Sequence, residues 1–205
     1  MDLILVRHGL TDWNEQGRLM GRADIELNAR GRAQAQAVAE ALRRQPVGAI
    51  ISSPQRRTQQ TAEAIAALQQ LPVRSEEALA EVMLGRWQGM TWNDLQDDPD
   101  VVRYLADPTY HCDAVEPGVA VHQRVVSFVA GLRSDGDDTV VLVSHGDPLR
   151  ILLAHYLSMP LASYRRMEVA PGSVSLLRLG APFGVRVMLL NWRPQRGAEQ
   201  LCVPR

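Results

Sequence analysis

Two short apolar runs in this chain end in the same way, and few architectures can use both. Residues 2–6 read DLILV and stop at Arg7-His8-Gly9, while residues 139–143 read TVVLV and stop at Ser144-His145-Gly146. A brief run that is apolar throughout, without alternation, is the pattern of a strand buried on both faces of a parallel sheet. The glycine that follows lets backbone approach a ligand closely. Ligands of open α/β sheets bind beyond the carboxyl ends of the strands, so two such strands side by side bring His8 and His145 to one edge. A histidine at one strand end is ordinarily structural; the matched pair points to a site.

The stretch between the two units alternates strand and helix. Asn28 is an N-cap residue opening a helix to about Arg44, with Gly31, Ala35, Val38 and Leu42 inward. Gly48–Ile51 predicts a second strand ending in Ser52-Ser53-Pro54. A helix from about Gln55 to Leu68 follows, with Thr58, Ala62 and Ile65 inward and Arg57 near its start. Pro72–Arg74 is a weak third strand. The alternation then breaks for roughly sixty residues, in a stretch punctuated by Pro99, Pro108 and Pro117. There Thr91–Asp94 has the capping-box spacing of a short helix, and residues 119–133 form a clearer one through Val121, Val125, Phe128, Val129 and Leu132. This excursion is expected to cross the active face at about 82–118. Beyond His145, Asp147 reads as an N-cap and Pro148 as a first-turn proline, placing helix amides where an anion can use them. Ser173–Leu179 and Val185–Leu190 read as an edge hairpin, and the tail from Arg193 as polar and frayed. The expected fold class is α/β, a mostly parallel sheet with an antiparallel edge, in a single domain over residues 1–205.

With 205 residues, 46% of them hydrophobic, the chain can bury one full core. A net charge of −1 with both signs interspersed leaves no global field for nucleic acid or an anionic membrane. Cys112 and Cys202 are too few for a disulfide framework, the first apolar run is too short for a signal peptide, and no run approaches a membrane span. A cytoplasmic enzyme acting on a small molecule is the expectation, with the edge strand near the C-terminus as a surface for a homodimer.

Several short motifs fall in one order along the chain. They are Arg7-His8-Gly9, Thr11-Asp-Trp-Asn14, Gly21-Arg-Ala-Asp24 with Leu27-Asn28, Ser53-Pro-Gln-Arg-Arg57 with Gln60-Thr61-Ala62, Glu81 ahead of Gly85-Arg-Trp87-Gln-Gly89, and Ser144-His145-Gly146. Each is weak alone, but in register and in fitting contexts they resemble the histidine phosphatase superfamily, the phosphoglycerate-mutase-like group. The resemblance implies a three-layer α/β/α fold and a covalent phosphohistidine, formed without a metal or other cofactor.

Charge chemistry agrees with that implication. A phosphate monoester carries close to two negative charges and resists anionic nucleophiles, so a neutral imidazole among fixed cations suits the attack. His8 is the candidate nucleophile. Arg7 and Arg57 suit a fork around the nonbridging oxygens and, as cations, oppose protonation of His8. His145, Asn14, Gly21 and the Gly146 amide complete a candidate cradle. Glu81 is the candidate general acid and then base, its pKa raised beside a bound phosphate. Arg56 competes with Arg57, and Glu76 and Glu77 with Glu81; the family spacing favours Arg57 and Glu81. Trp13, Trp87, Trp92, Met20 and Met83 are candidates for a substrate pocket, although such residues more often pack a core.

Other signals are set aside. His111-Cys112-Asp113 lacks a second ligand pair at metal-site spacing, and His122 and His155 read as helix-boundary residues. Asp98-Pro-Asp100-Val-Val102 mimics the nucleophile signature of aspartate-based phosphatases but follows no apolar strand. Three functions stay in view: a phosphatase acting on a small phosphate monoester, a cofactor-dependent phosphoglycerate mutase, and a non-catalytic phosphate-binding module. The excursion is shorter than the resemblance associates with mutases and poor in their basic residues, which favours the phosphatase. No core residue is missing, which disfavours the third reading. Departures from the family pattern at Met20, Gln88 and Gly118-Val-Ala-Val121 remove polar groups where relatives usually contact substrate. They leave specificity open between a less polar leaving group, nucleotide-like or isoprenoid, and a broad activity.

Overall fold

The structure, a computed structural model, describes residues 1–132, 139–181, 184–195, 197 and 201. Strand β1 (Asp2–Arg7) runs between β4 (Thr139–Ser144), which is parallel to it, and β5 (Val174–Ala181), which is antiparallel. Beyond β4 lie β2 (Val47–Ser52) and β3 (Val73–Ser75), both parallel, and beyond β5 the antiparallel β6 (Gly184–Trp192) forms the other edge. The sheet order is β3-β2-β4-β1-β5-β6. In the β1–β4 pair Arg7 stands opposite Ser144, so the two His-Gly units leave the sheet side by side.

Both faces of the sheet are covered, which is why its central strands carry no polar alternation. On one face Ile4, Val6, Val141 and Val143 meet Val38 and Leu42 of α2 (Ala29–Leu42) and Ala62 and Ile65 of α3 (Arg56–Gln69). On the other, Leu3, Leu5, Val140 and Leu142 meet Val125 and Val129 of α5 (Gly118–Ala130) and Leu149 and Leu152 of α6 (Gly146–Tyr156). This is the expected α/β/α layering. The connection from β3 to α5 crosses the carboxyl ends of the parallel strands and carries one regular helix, α4 (Pro99–Ala106).

Several expectations are corrected. Thr91 and Asp94 do exchange capping-box hydrogen bonds, at 2.8 Å from the Thr91 amide to Oδ2 and 3.3 Å in return. No helix follows, because Asp98-Pro99 begins α4 only four residues later, its Asp98 carboxylate accepting from the Asp100 amide. Helix α6 starts at Gly146 with His145 as its N-cap, not at Asp147. The Asp147 carboxylate turns instead to Arg150, at 2.8 Å. A short α1 (Asp12–Glu15), capped by Thr11, was not anticipated. Helix α5 ends at Ala130 with Gly131 as its C-cap, short of the expected residue 133, and most of the tail lies outside the described residues. Of the described tail, Pro194 is buried and the Leu201 amide donates to the Ala41 carbonyl at 3.0 Å.

The tip of β1 is pressed onto the first turn of α2. A Cβ built on Gly31 falls 2.0 Å from the Leu10 carbonyl oxygen, and one on Gly9 falls 2.4 Å from that of Gly31. In an unobstructed helix, Gly→Ala is favourable by about 1 kcal/mol. Here the sign reverses: Gly31→Ala should lower the unfolding free energy by about 1–3 kcal/mol, the usual range for overpacking, read as a lower urea midpoint.

Candidate active site

The side-by-side exit of β1 and β4 sets His8 and His145 with ring centroids 5.2 Å apart, both fully buried. The His8 amide donates to Ser144 O across the strand gap at 3.0 Å. Its Nδ1 lies 2.7 Å from Gly9 O. A carbonyl only accepts, so Nδ1 carries the proton and Nε2 bears the lone pair of the neutral ring. That Nε2 is buried and has no hydrogen-bond partner. Burial first, then Arg57 and Arg7, pushes the His8 pKa well below its ordinary value.

His145 is fixed from the other side. Its Nε2 is 2.7 Å from Ser53 Oγ and 2.9 Å from Gln55 Oε1. The Glu81 amide also donates to Gln55 Oε1, at 3.4 Å, so the carbonyl end of Gln55 faces these donors and His145 Nε2 carries the ring proton. Nδ1 is left buried and unpartnered. The side chain of Gln55, the N-cap residue of α3, makes no cap bond; it serves His145 instead. Burial, then Arg57, His8, Arg7 and Arg124, lowers the His145 pKa as well.

Arg7 and Arg57 show the same signature, a buried Nε without a partner. Arg7 Nη1 is held by Val169 O at 2.6 Å. Arg57, fully buried, is clamped through Nη1 to Ala23 O and Nη2 to Gly21 O, at 2.7 and 2.8 Å. Burial lowers its pKa to about 10, with Glu81 opposing. Both guanidinium groups are thus oriented by backbone carbonyls. Unpartnered buried polar atoms are rare in folded proteins; here two are guanidinium N–H donors, on Arg7 and Arg57, and two are imidazole lone pairs, on His8 and His145, gathered at one sheet edge.

Glu81 lines the cleft with Arg7, Asn14, Gly21 and Gly146. Its backbone carbonyl accepts from Arg22 at 3.1 Å and Arg124 at 3.4 Å, and Arg124 is itself paired to Glu116 at 2.7 Å. Withdrawal from water, reinforced by Asp147, raises the Glu81 pKa against the opposing charges of Arg57 and Arg7. Asn14 commits its Oδ1 to the Thr11 amide and hydroxyl, both at 3.1 Å, which turns its amide nitrogen into the end available to a ligand. Gly146 opens α6 close beneath the arginines: a Cβ there falls 3.2 Å from Arg150 Nη1 and 3.5 Å from Arg7 Cζ.

The competitors separate cleanly. Arg56 is exposed and pairs loosely with Glu26 at 3.8 Å, Glu76 caps a turn at Ala78, and Glu77 is exposed. Of the pocket candidates, Met20, Trp87 and Trp92 line the cleft; Trp13 and Met83 do not. His122 and His155 pair with each other at 3.2 Å, away from the cleft. The carboxylates beside Cys112 are engaged by Arg86, Asp100 at 2.7 Å and Asp113 at 2.8 Å. Sequence reasoning missed the service roles of Gln55, Arg22, Glu116 and Arg124, and the cleft positions of Leu95, Val101, Tyr104, Leu105, Arg150 and Arg165.

The chain belongs to the histidine phosphatase superfamily (branch 1), whose family model matches residues 3–192. It is accordingly a phosphoric monoester hydrolase of the histidine phosphatase type. It is 33% identical over 181 residues to phosphoserine phosphatase 1 of Hydrogenobacter thermophilus, covering 86% of each chain. It is 37% identical over 174 residues to the glucosyl-3-phosphoglycerate phosphatase of Mycobacterium tuberculosis, covering 79% of this chain and 78% of that one. The solved structure of the alpha-ribazole phosphatase from Shigella flexneri superimposes with a TM-score of 0.84 at 30% identity, over 95% of this chain and 98% of that one.

The buried neutral histidines make stability depend on pH. Both folded pKa values lie below the ordinary 6.5, so the unfolded chain binds protons first as pH falls. Stability should then drop below about pH 6.5 by up to about 1.4 kcal/mol per pH unit for each histidine. Glu81, its folded pKa raised above 4.5, acts in the opposite sense, gaining stability as pH falls through its folded value. Urea midpoints from pH 7.5 to 5 should fall more steeply in Glu81→Gln than in the unsubstituted protein. A slope unchanged by removing His8 would count against its buried neutral state.

Proposed function

We propose that the protein hydrolyses a small phosphate monoester through a phosphohistidine on His8, with Arg7, Arg57, His145, Asn14, Gly21 and Gly146 binding the phosphoryl group. The observation that carries the reading is the buried, unpartnered Nε2 of His8, aligned as a lone pair by the Nδ1–Gly9 contact and flanked by two arginines that lack an Nε partner. In the first step Nε2 forms a bond to phosphorus while the phosphorus–alkoxide bond breaks, and Glu81 gives its proton to the departing oxygen. In the second, a water oxygen bonds to phosphorus, the nitrogen–phosphorus bond breaks, and Glu81 takes the water's proton. Charge on the transferring group is met by Arg7, Arg57 and the amides at the start of α6. His145 joins them when the dianion's field protonates Nδ1, with Nε2–H already held by Ser53 and Gln55.

The two arginines supply the positive charge that a metal ion would otherwise bring, which supports metal independence. A single domain over residues 1–205, a cytoplasmic location and pairing of two copies through the β6 edge belong to the same reading.

The test is hydrolysis of p-nitrophenyl phosphate in excess chelator. Turnover should survive chelation and disappear in His8→Ala, and rapid quench of the active protein into alkaline detergent should trap a base-stable phosphoryl group that is lost on later acid treatment. Arg57→Lys should lower kcat by about 10²–10³, the usual loss for one transition-state donor. Glu81→Gln should slow alkyl phosphates by about 10²–10⁴; with p-nitrophenyl phosphate, whose leaving group needs no proton, it should spare the first step and leave a burst of p-nitrophenol followed by slow turnover, because water attack has lost its base. Activity lost on chelation, or retained in His8→Ala, would overturn the reading.

A further inference from the structure

The cleft extends past the catalytic residues into a cavity of about 630 Å³, a volume that suits a drug-sized ligand and far exceeds what a phosphoryl group needs. Arg7, Glu81 and Gly146 line the same cavity. Any monoester with its phosphate among them therefore has its alcohol portion in the remainder. That remainder is walled by Val82, Trp87, Leu95 and Tyr104, all nearly fully buried, with Trp92 and Leu105 at the rim. The two rim residues are 53% and 37% exposed, large apolar surface kept wet at the mouth of the cleft.

The charged groups in this outer part are turned on one another. Asp147 is bound by Arg150 at 2.8 Å, by the Tyr164 hydroxyl at 3.3 Å and by Arg165 at 3.9 Å. Arg165 lies against the rings of Tyr104 and Tyr164, at 4.7 and 4.4 Å, and donates to Tyr104 O at 3.3 Å. Arg150 also donates to Met167 O at 3.0 Å, and Arg18 to Gly89 O at 2.8 Å and Gln16 at 3.0 Å. A sugar, an amino acid or a hydroxy acid brought here exchanges water for walls with few unspent partners, and unmade hydrogen bonds count heavily. An apolar group instead covers the wet rim.

We infer that the alcohol portion of the substrate is bulky and apolar, and that Trp92 and Leu105 select for it. This rests on the hydrolase reading above. It departs from the polar substrates that the names of several relatives carry.

The experiment compares kcat/KM across ethyl, butyl, hexyl and octyl phosphate below micellar concentration, then geranyl phosphate, O-phosphoserine and 3-phosphoglycerate. The unbranched alkyl series holds the leaving-group pKa nearly constant, so chemistry does not mask binding. Expected is a rise along the series of up to about fourfold per methylene, the ratio for full burial, with geranyl phosphate well above both polar esters. In Trp92→Ala and Leu105→Asn, surface positions whose folding is verified by thermal melts, the octyl-to-ethyl ratio should shrink at least several-fold. A flat series, a preference for phosphoserine or phosphoglycerate, or an unchanged ratio in both variants overturns the inference and leaves the hydrolase reading standing. No turnover on any ester, p-nitrophenyl phosphate included, overturns both.

Discussion

A guanidinium group taken out of water without a carboxylate in contact is costly, and Arg7 and Arg57 stand that way beside His8. Neither makes a salt bridge among the described residues; carbonyls of Val169, Ala23 and Gly21 hold them instead. Carbonyl dipoles orient a cation without cancelling its charge. A carboxylate in the same place would stabilise the empty site and then have to be displaced by the phosphoryl group. The arrangement keeps the positive potential available, and the same potential, added to burial, holds both imidazoles neutral. The unprotonated imidazoles and the positive potential around them thus share one source.

That source demands a rigid frame. The parallel β1–β4 pairing sets the two histidines at one edge, and the mutual approach of Gly9 and Gly31 locks the β1 tip to α2. Arg57 reaches the site from α3 because its position shares the inward face with Thr58, Thr61 and Ala62. Glu81 sits on irregular backbone, and its placement is secured by the Arg22 and Arg124 hydrogen bonds to its carbonyl. Its side chain is left to the cleft, where burial and Asp147 favour the protonated form against two arginines.

Much of this was legible in the sequence because it is local. Strand runs, the Asn28 cap and the spacing of Arg57 from Ser53 are fixed by neighbours a few positions away. Asp98-Pro99 is equally local, an N-cap followed by a first-turn proline that announces α4; its likeness to a phosphatase nucleophile masked the plainer meaning. The start of α6 was misplaced by one competing interaction, since Asp147 pairs with Arg150 and Tyr164 instead of capping. Gln55, Glu116 and Arg124 could not be read at all. Glutamine and charged side chains are ordinarily solvated, and the partners that give these three their roles lie 90, 33 and 43 residues away, at His145, Met83 and Glu81.

The outer wall of the cleft has a different basis from the catalytic edge. It belongs to the excursion and is tied down at the surface by Arg86, which bridges Asp98, Asp100 and Asp113. Exposed ion pairs of this kind contribute little. The firmer attachment is beneath them, where Trp87 donates Nε1 to Asp98 at 3.0 Å and meets Tyr104 edge-on with centroids 5.2 Å apart. Packing of that type is worth about 0.5–1.5 kcal/mol beyond its burial, and it joins the 3₁₀ turn at Gly85–Trp87 to α4 across the cavity floor. Because the catalytic edge is anchored in the sheet and the wall in its own aromatic contact, side chains on the wall can change without disturbing His8. His8, His145 and the two arginines therefore reside on a part of the chain supported separately from the wall, with Glu81 at the junction beside Val82.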